Sequence, residues 1–213
     1  MNQPPSPEPW TLPKSASPVA GVVLAAGSSI RMGRNKLLLE LDGESLLRRA
    51  VSRAAAANLD PVIVVVGFEA DRVLEELAGL RYRAVVNPEY QQGLNRSLQA
   101  GIRAVPAVAT GALIMLADMP HVTTDMIATM VLRYRETGAR LVISNYDGVD
   151  APPMLYGRSL FAELEAMRGS GCGKDVVRRH RSEAVVVSWP AAALADLDLP
   201  EDYDRARAML GTS

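Results

Sequence analysis

Residues 24–36, with the sequence LAAGSSIRMGRNK, combine residue types that are suited to binding phosphate groups. The segment offers a glycine that lets the backbone approach a ligand, two serines that can donate hydrogen bonds, and three cations with no acidic residue among them: Gly27, Ser28, Ser29, Arg31, Arg34 and Lys36. Its spacing fits neither common phosphate loop, since Gly27 and Gly33 stand six positions apart and Lys36 follows three later. We therefore expect a longer cationic loop around a triphosphate, with a solvated surface turn as the alternative.

Carboxylates that could hold a metal ion occur at two later points of the chain. Asp118 directly follows the apolar run ALIMLA, and Pro120 ends that segment. Because Mg²⁺ is usually held by one or two carboxylates together with substrate phosphates and water, Asp118 is a candidate magnesium ligand. DLDLPEDY, residues 196–203, offers further carboxylates, among them Asp196 and Asp198. Turn or helix-cap roles are the alternatives for these carboxylates.

Side chains suited to nucleophilic catalysis are scarce. The chain has two histidines and one cysteine, so no Ser-His-Asp or Cys-His arrangement is indicated. We expect His121 in an exposed loop, with substrate contact as the alternative, and Cys172 as a small residue of a glycine-rich turn, with a reactive thiol as the alternative.

The elements that must position these residues follow from hydrophobic periodicity. Short runs rich in Val, Ile and Leu alternate with segments of helical period, which predicts an α/β fold around a parallel sheet whose strands are buried on both faces. The predicted strands are residues 19–25, 61–66, 82–86, 112–117, 140–144 and 184–188. The predicted helices are residues 44–58, 69–79 and 123–138, the last capped by Thr123 or Thr124, and a final helix within 196–210. Because ligands bind at the carboxyl ends of strands in open α/β sheets, the first loop and Asp118 should meet at one edge.

Composition bounds the class of protein. At 213 residues with 48% apolar residues, the chain suits one globular domain, expected over residues 19–213. A net charge of -1 removes the usual electrostatic argument for nucleic-acid binding. The lone cysteine excludes an internal disulfide or a cysteine-based zinc site and fits a reducing cytoplasm. Residues 1–18 hold six of the fourteen prolines and are expected to be a disordered tail, and no apolar run reaches the roughly 18 residues of a membrane span.

LAAGSSIRMGRNK fills every fixed position of the pattern L-A-A-G-x-S-x-R-M-G-x-x-K, and the chain therefore resembles the nucleotidyltransferases that attach a nucleotide to the molybdenum cofactor. The resemblance spans about residues 19 to 210 and includes the motif LADMP around Asp118. It implies a three-layer Rossmann-like sandwich with a mostly parallel mixed sheet, in a single domain. The site residues that it implies are Leu24, Ala25, Ala26, Gly27, Ser28, Ser29, Arg31, Lys36, Gly93, Ser97 and Asp118 for the nucleotide, Arg31, Lys36 and Asp118 for catalysis, and Asp118 and Asp198 for the metal.

The resemblance also implies the substrates. Members that begin this loop with Ala-Ala-Gly resemble cytidylyltransferases, whereas Ala-Gly-Gly is similar to guanylyltransferases, so the expected nucleotide is CTP with Mg²⁺. Molybdopterin is the expected acceptor, with a molybdoenzyme as a further partner. DLDLPEDY resembles the family's D-x-D-T-P-E-D-Y with Leu199 in place of threonine, and there Asp198 is our choice for the second metal ligand and Asp196 the reserve. The other departures from the family pattern are Asn95 and Arg96 in GLNRSL, Pro152 in place of histidine in APPML, and Ser170 in place of aspartate in GSGCGK.

The last two departures lie on the acceptor side, so other functions stay open. One alternative is a sugar- or alditol-phosphate nucleotidyltransferase, and another is a noncatalytic carrier that delivers finished cofactor to a molybdoenzyme. Lys174, Arg178 and Arg179 either bind an acceptor phosphate or form a solvated helix face.

Overall fold

The computed structural model describes residues 18–27, 35–169 and 171–194. The strands in these ranges are β1 (Val19–Ala25), β2 (Glu40–Leu41), β3 (Glu44–Ser45), β4 (Val62–Val66), β5 (Arg83–Val86), β6 (Gly111–Leu116), β7 (Leu141–Tyr146), β8 (Val149–Gly157) and β9 (Val185–Trp189). The α-helices are α1 (Leu46–Ala56), α2 (Ala70–Glu75), α3 (Leu94–Arg103), α4 (Thr124–Thr137), α5 (Phe161–Ala166) and α6 (Lys174–His180). Of the predicted tail 1–18, residues 1–17 lie outside the described residues, and so does the predicted final helix.

Seven of the described strands form one mixed sheet in the order β5-β4-β1-β6-β8-β7-β9. β1 pairs in parallel with both β4 and β6, and β4 pairs in parallel with β5. β8 runs antiparallel to β6 and β7, and β9 pairs in parallel with β7. β2 and β3 form a separate antiparallel hairpin. The prediction of an α/β fold with a mostly parallel mixed sheet is confirmed.

Helices cover both faces of the sheet. Leu47 of α1 and Met130 of α4 belong to one hydrophobic cluster, whereas Leu98 of α3 and Leu164 of α5 belong to a second. Successive residues of β1 alternate between these clusters, as the two-residue period of a strand requires. The molecule is therefore a sandwich of three layers, with the sheet between two layers of helices.

Helix α3 lies close to the sheet because it presents a glycine there. A Cβ atom placed on Gly101 would lie 2.4 Å from Val22 Cγ1 in β1 and 3.0 Å from Val65 Cγ2 in β4. Both distances are shorter than an ordinary carbon–carbon contact. The absent side chain thus sets how near the axis of α3 comes to the two central strands.

The observed strands agree with the six predicted ones to within two residues at each end. The sequence reasoning missed β8, because VDAPPMLYG carries two prolines and has a shorter apolar run than the other strands. Burial on both faces was the wrong expectation for the edge strands β5 and β9, whose residues are exposed or half-buried. An edge strand has a neighbour on one side alone and is less fully covered by helices than a central strand.

The helix ends show where local signals were sufficient. Thr123 caps α4 as predicted, since its Oγ1 accepts a hydrogen bond from the backbone N–H of Met126 over 3.2 Å. α1 begins at Leu46, later than predicted, because Ser45 still pairs in β3 and caps the helix. α2 covers fewer residues than the predicted 69–79. No described helix is long and apolar enough to cross a membrane.

Candidate functional site

The carboxyl ends of β1 and β6 lie side by side, because the two strands pair in parallel with Leu24 opposite Leu116. The backbone N–H of Ala117 continues this pairing by donating to the carbonyl oxygen of Leu24 over 3.1 Å. Asp118 therefore emerges beside the residues that follow β1. A cavity of about 100 Å³ opens here, lined by Leu24, Ala25, Ala26, Gly27, Lys36, Leu37, Leu94, Leu116 and Asp118.

An ion pair joins two of the predicted catalytic residues. Lys36 Nζ lies 2.6 Å from Asp118 Oδ2, and the two side chains are 12% and 18% exposed. Their partial burial makes the attraction stronger than in a fully solvated surface pair. A lysine and a carboxylate held this close offer a phosphate oxygen a cation and a divalent metal ion an anionic ligand at the same point.

The turn that carries Lys36 is held by its neighbour Asn35. Asn35 is buried, and its Oδ1 accepts a hydrogen bond from the backbone N–H of Leu37 over 3.2 Å. Its Nδ2 donates to Glu69 Oε2 over 3.1 Å, which ties the 3-10 turn Lys36–Leu38 to the loop before α2. Sequence reasoning missed this residue because it falls on an unspecified position of the motif, although asparagine before a short helical turn is itself a capping signal.

The first turn of α3 forms another wall of the cavity. Gly93 precedes it with φ 106°, a conformation that favours glycine, and Leu94 then lines the cavity. Ser97 lies further along α3, where it is buried and its Oγ accepts a hydrogen bond from Asn87 Nδ2 over 3.0 Å. The backbone N–H of Asn87 in turn donates to Val66 at the end of β4. Ser97 does not cap α3, since Gly93 occupies the cap position.

The segment around Pro152 reaches the same edge of the sheet, because β8 runs opposite to β6. The register pairs Met154 with Ile114, so earlier residues of β8 lie toward the end of β6 that leads to Asp118. The hydroxyl of Tyr146 donates to the carbonyl oxygen of Pro152 over 2.8 Å. Burial raises the pKa of Tyr146 to about 12, so this phenol stays a neutral donor at physiological pH.

Asn95 of α3, one of the departures from the family pattern, hydrogen-bonds the glycine-rich turn before α6. Asn95 is buried, its Nδ2 donates to the carbonyl oxygen of Arg168 over 3.3 Å, and its Oδ1 accepts from the backbone N–H of Gly173 over 3.4 Å. Asn95 thus holds this turn from both sides of Ser170, which itself lies outside the described residues. The amide has a structural task at the position where relatives differ.

Cys172 lies in this turn as a neutral thiol. Burial raises its pKa to about 12, the charge of Lys174 opposes the shift, and the charge of Asp118 adds to it. The influence of Asp118 reflects how near the glycine-rich turn comes to the Lys36–Asp118 pair. Because a thiol must ionise to act as a nucleophile, this environment disfavours the reactive-thiol alternative.

His121 does not lie in an exposed loop, and that expectation is wrong. It is half-buried, and its Nε2 is buried without a hydrogen-bond partner among the described residues. Burial, and then the charges of Arg53 and Arg49, lower its pKa, so the imidazole stays neutral at pH 7. The two charges that act on it belong to α1, and His121 does not line the described cavity.

Two of the predicted cations of α6, Arg178 and Arg179, have acidic partners. Arg178 Nη2 lies 2.7 Å from Asp175 Oδ1, and Arg179 Nη1 pairs with Glu163 of α5. Both arginine side chains are largely exposed. This arrangement favours the solvated helix face over an acceptor-phosphate site.

Several predicted site residues lie outside the described residues, namely Ser28, Ser29, Arg31, Arg34, Asp196 and Asp198. Among the residues that the structure does describe, no three His, Cys, Asp or Glu side chains cluster as a metal site. Asp118 still suits Mg²⁺, because this ion takes few protein ligands and completes its shell with phosphates and water.

Comparisons with known proteins agree with this geometry. Residues 21–185 match the family model described as a MobA-like NTP transferase domain. The purine catabolism protein PucB of Bacillus subtilis is 30% identical over 88% of this chain and 95% of its own length. A probable molybdenum cofactor guanylyltransferase of Opitutus terrae is 30% identical over 91% of this chain and 96% of its own. The crystal structure of a Mycobacterium homologue of Rv0371c, from strain JC1, superposes with a TM-score of 0.81 at 29% identity, covering 91% of this chain and 97% of that one.

Proposed function

The chain belongs to the MobA-like NTP transferase family and is a nucleotidyltransferase, and on this premise we propose that it transfers CMP from CTP to a molybdopterin-type cofactor with release of pyrophosphate. The observation that carries the proposal is the Lys36–Asp118 pair, 2.6 Å apart beside the cavity at the end of β1. It combines a phosphate-binding cation and a metal-binding carboxylate at the edge of the sheet where nucleotides bind in α/β folds.

The residues of this chain act by position and charge. Lys36 neutralises phosphate oxygens of the bound nucleotide, and Arg31, by the resemblance, does the same from the first loop. A terminal phosphate oxygen of the acceptor attacks the α-phosphorus, the bond from that phosphorus to the bridging oxygen breaks, and pyrophosphate leaves with the electron pair. The acceptor oxygen is already ionised at neutral pH, so no residue needs to remove a proton.

Asp118 has a second task toward a divalent cation, for which we propose Mg²⁺. Its carboxylate would hold the ion together with nucleotide phosphates, and Asp198 is the proposed further ligand. When bound, the ion would neutralise negative charge on the transferring and leaving phosphates. Lys36, whose Nζ lies 2.6 Å from Asp118 Oδ2, contributes the same kind of stabilisation.

The choice of CTP rests on Ala26, which follows β1 and lines the described cavity. Ala26 is 4% exposed and lines the cavity together with aliphatic side chains such as Leu94. A cytosine ring needs less room than a guanine ring, and the methyl group of Ala26 removes room that a glycine would leave. The resemblance of Ala-Ala-Gly to cytidylyltransferases points the same way.

The choice of a molybdopterin-type acceptor rests on the motif match and on the guanylyltransferase relative that acts, by its name, on the molybdenum cofactor. The segments around Pro152 and Cys172 reach the same edge as Asp118, which supports a second substrate binding between β8 and α6. Because Pro152 replaces a histidine of the family pattern, a sugar or alditol phosphate is the second acceptor to test.

The decisive experiment pairs CTP, GTP, ATP and UTP with molybdopterin and with several sugar and alditol phosphates, in the presence of Mg²⁺, and scores pyrophosphate release. We expect release with CTP and molybdopterin, and its near-complete loss in Asp118→Asn, which keeps the side-chain shape but removes the charge. Release with a sugar or alditol phosphate alone would reassign the acceptor. No release in any combination, with cofactor binding unaffected by Asp118→Asn, would instead identify a noncatalytic carrier.

A further inference from the structure

The loop that follows Asp118 packs against helix α1 and is hydrogen-bonded to it. Met119 is 5% and Val122 1% exposed, and both belong to the cluster that includes residues of α1. The backbone N–H of Val122 donates to the carbonyl oxygen of Met119 over 3.3 Å. The position of the Asp118 carboxylate therefore depends on how this short loop sits on its support.

The support is a single guanidinium from α1. Arg53 Nη1 lies 2.6 Å from the carbonyl oxygen of Pro120 and 2.7 Å from that of Val122. These two carbonyls lie on either side of His121. The Arg53 guanidinium therefore binds both ends of the turn 120–122, which begins two residues after Asp118. Arg53 is half-buried, and burial is the largest cause that lowers its pKa, with the charge of Arg49 adding and that of Glu44 opposing. Partial burial makes charged hydrogen bonds of this kind stronger than on the surface.

The same helix also supports Lys36. The backbone N–H of Leu46, the first residue of α1, donates to the carbonyl oxygen of Leu39 over 3.0 Å, just beyond the turn that carries Lys36. Leu37 of that turn packs in the same cluster as Leu47 of α1. α1 thus contacts the Lys36 turn through its first residues and the Asp118 loop through Arg53.

We infer that Arg53 is a positioning residue, which sets the distance between Asp118 and Lys36 by hydrogen-bonding the carbonyl oxygens of Pro120 and Val122. The inference rests on the proposed function, because it concerns the same site. Removal of the guanidinium leaves two carbonyls without this donor and frees the loop to shift. A shift of even 1 Å at a catalytic group can cost up to about 100-fold in rate, whereas groups that bind the nucleotide elsewhere keep their places.

Helix α1 also offers a matched control. Arg48 Nη1 donates to the carbonyl oxygens of Glu76 and Ala78 over 2.9 and 3.1 Å, so it makes the same kind of double contact to the segment after α2. None of these residues lines the described cavity beside Asp118. Arg48→Met therefore removes an equivalent clamp from the same helix without touching the Asp118 loop.

The experiment compares Arg53→Met, Arg53→Lys and Arg48→Met by Tm, by kcat and KM for CTP, and by Mn²⁺ titration followed by EPR in the presence of a non-reacting CTP analogue. We expect Arg53→Met to lower kcat by at least about tenfold and to weaken Mn²⁺ binding, with KM for CTP changed by less than about threefold. Arg48→Met should show a similar fall in Tm with kcat and Mn²⁺ affinity unchanged. Arg53→Lys keeps a charged donor and should recover most of the lost kcat.

The inference is overturned if Arg53→Met and Arg48→Met lose the same share of kcat at equal Tm, or if Arg53→Lys is as impaired as Arg53→Met. Failure of the proposed function looks different: the wild-type protein would release no pyrophosphate with any acceptor. The Mn²⁺ titration would then still decide the role of Arg53, since weaker binding in Arg53→Met than in Arg48→Met supports it and equal binding refutes it. A wild-type protein that binds no Mn²⁺ with the nucleotide analogue would overturn both.

Discussion

Ala26 marks the point at which one methyl group can decide between nucleotides. We expect Ala26→Gly to lower the ratio of kcat/KM for CTP to kcat/KM for GTP by about tenfold, because the wider cavity admits the larger base. Pyrophosphate release at subsaturating nucleotide measures both values. Ala20→Gly at the start of β1, where the side chain is also buried, is the control and should leave the ratio unchanged. An unaltered ratio in Ala26→Gly would contradict the cavity as the origin of base choice.

Cys172 provides a second prediction at the scale of a residue. With a pKa of about 12, it should react with iodoacetamide at pH 8 at least about 100-fold more slowly than free cysteine, whose pKa is about 8.5. Intact mass follows the reaction without ambiguity, because the chain has one cysteine. The same protein unfolded in guanidinium chloride should react at the rate of free cysteine. Equal rates in the folded and unfolded protein would show that the turn does not bury the thiol.

At the scale of an element, the close approach of α3 to the sheet predicts a sensitive position. Gly101→Ala places a Cβ 2.4 Å from Val22 Cγ1, and such overpacking should lower the free energy of unfolding by about 1–3 kcal/mol. Because α3 also carries Leu94, KM for the nucleotide should rise as the helix is pushed outward. Urea denaturation and steady-state kinetics measure the two effects. Gly171→Ala is the control for stability, since its Cβ would make an ordinary 3.6 Å contact with Lys174.

Asp150, the second residue of β8, pairs with Arg181 at the end of α6, and this contact predicts a pH dependence of stability. Burial alone would raise the pKa of Asp150, but hydrogen bonds from Arg181 Nε and Asn145 Nδ2, each 2.6 Å long, and the charge of Arg181 outweigh it, so the pKa is lowered. A carboxyl with a lower pKa in the folded than in the unfolded state stabilises the protein near neutral pH, and this contribution disappears as pH falls through the folded-state value.

We therefore expect Asp150→Asn to lower the free energy of unfolding at pH 7, with the difference from wild type shrinking steadily below about pH 4. Urea titrations across this pH range measure it. Asp147→Asn, which removes an exposed carboxylate from the neighbouring turn, is the matched control. A gap between Asp150→Asn and wild type that is constant with pH would contradict the argument.

At the scale of the whole molecule, the sequence predicts the parts of the fold that local patterns determine. β1 and β4 are continuous apolar runs, and the edge of the sheet that collects the ends of parallel strands follows from their direction. β8 is not predicted by such patterns. Its two prolines interrupt the apolar run, and its antiparallel direction is set by pairing with β6, which the sequence of β8 does not reveal. The contacts that position the site residues are likewise not predicted by local sequence patterns. Arg53 meets Pro120 across 67 residues of sequence, a separation over which no periodicity gives a signal.

The place of β8 has a consequence for how such an enzyme changes its substrates over evolutionary time. In the described sheet, β5, β4, β1 and β6 all precede residue 117, whereas β8, β7 and β9 all follow residue 140, and one antiparallel ladder between β6 and β8 joins the two sets. A genetic crossover within residues 119–140 would thus exchange β7, β8 and β9, which we propose to carry the acceptor side, as one inherited block. The descendant would keep the Lys36–Asp118 pair and meet a new acceptor.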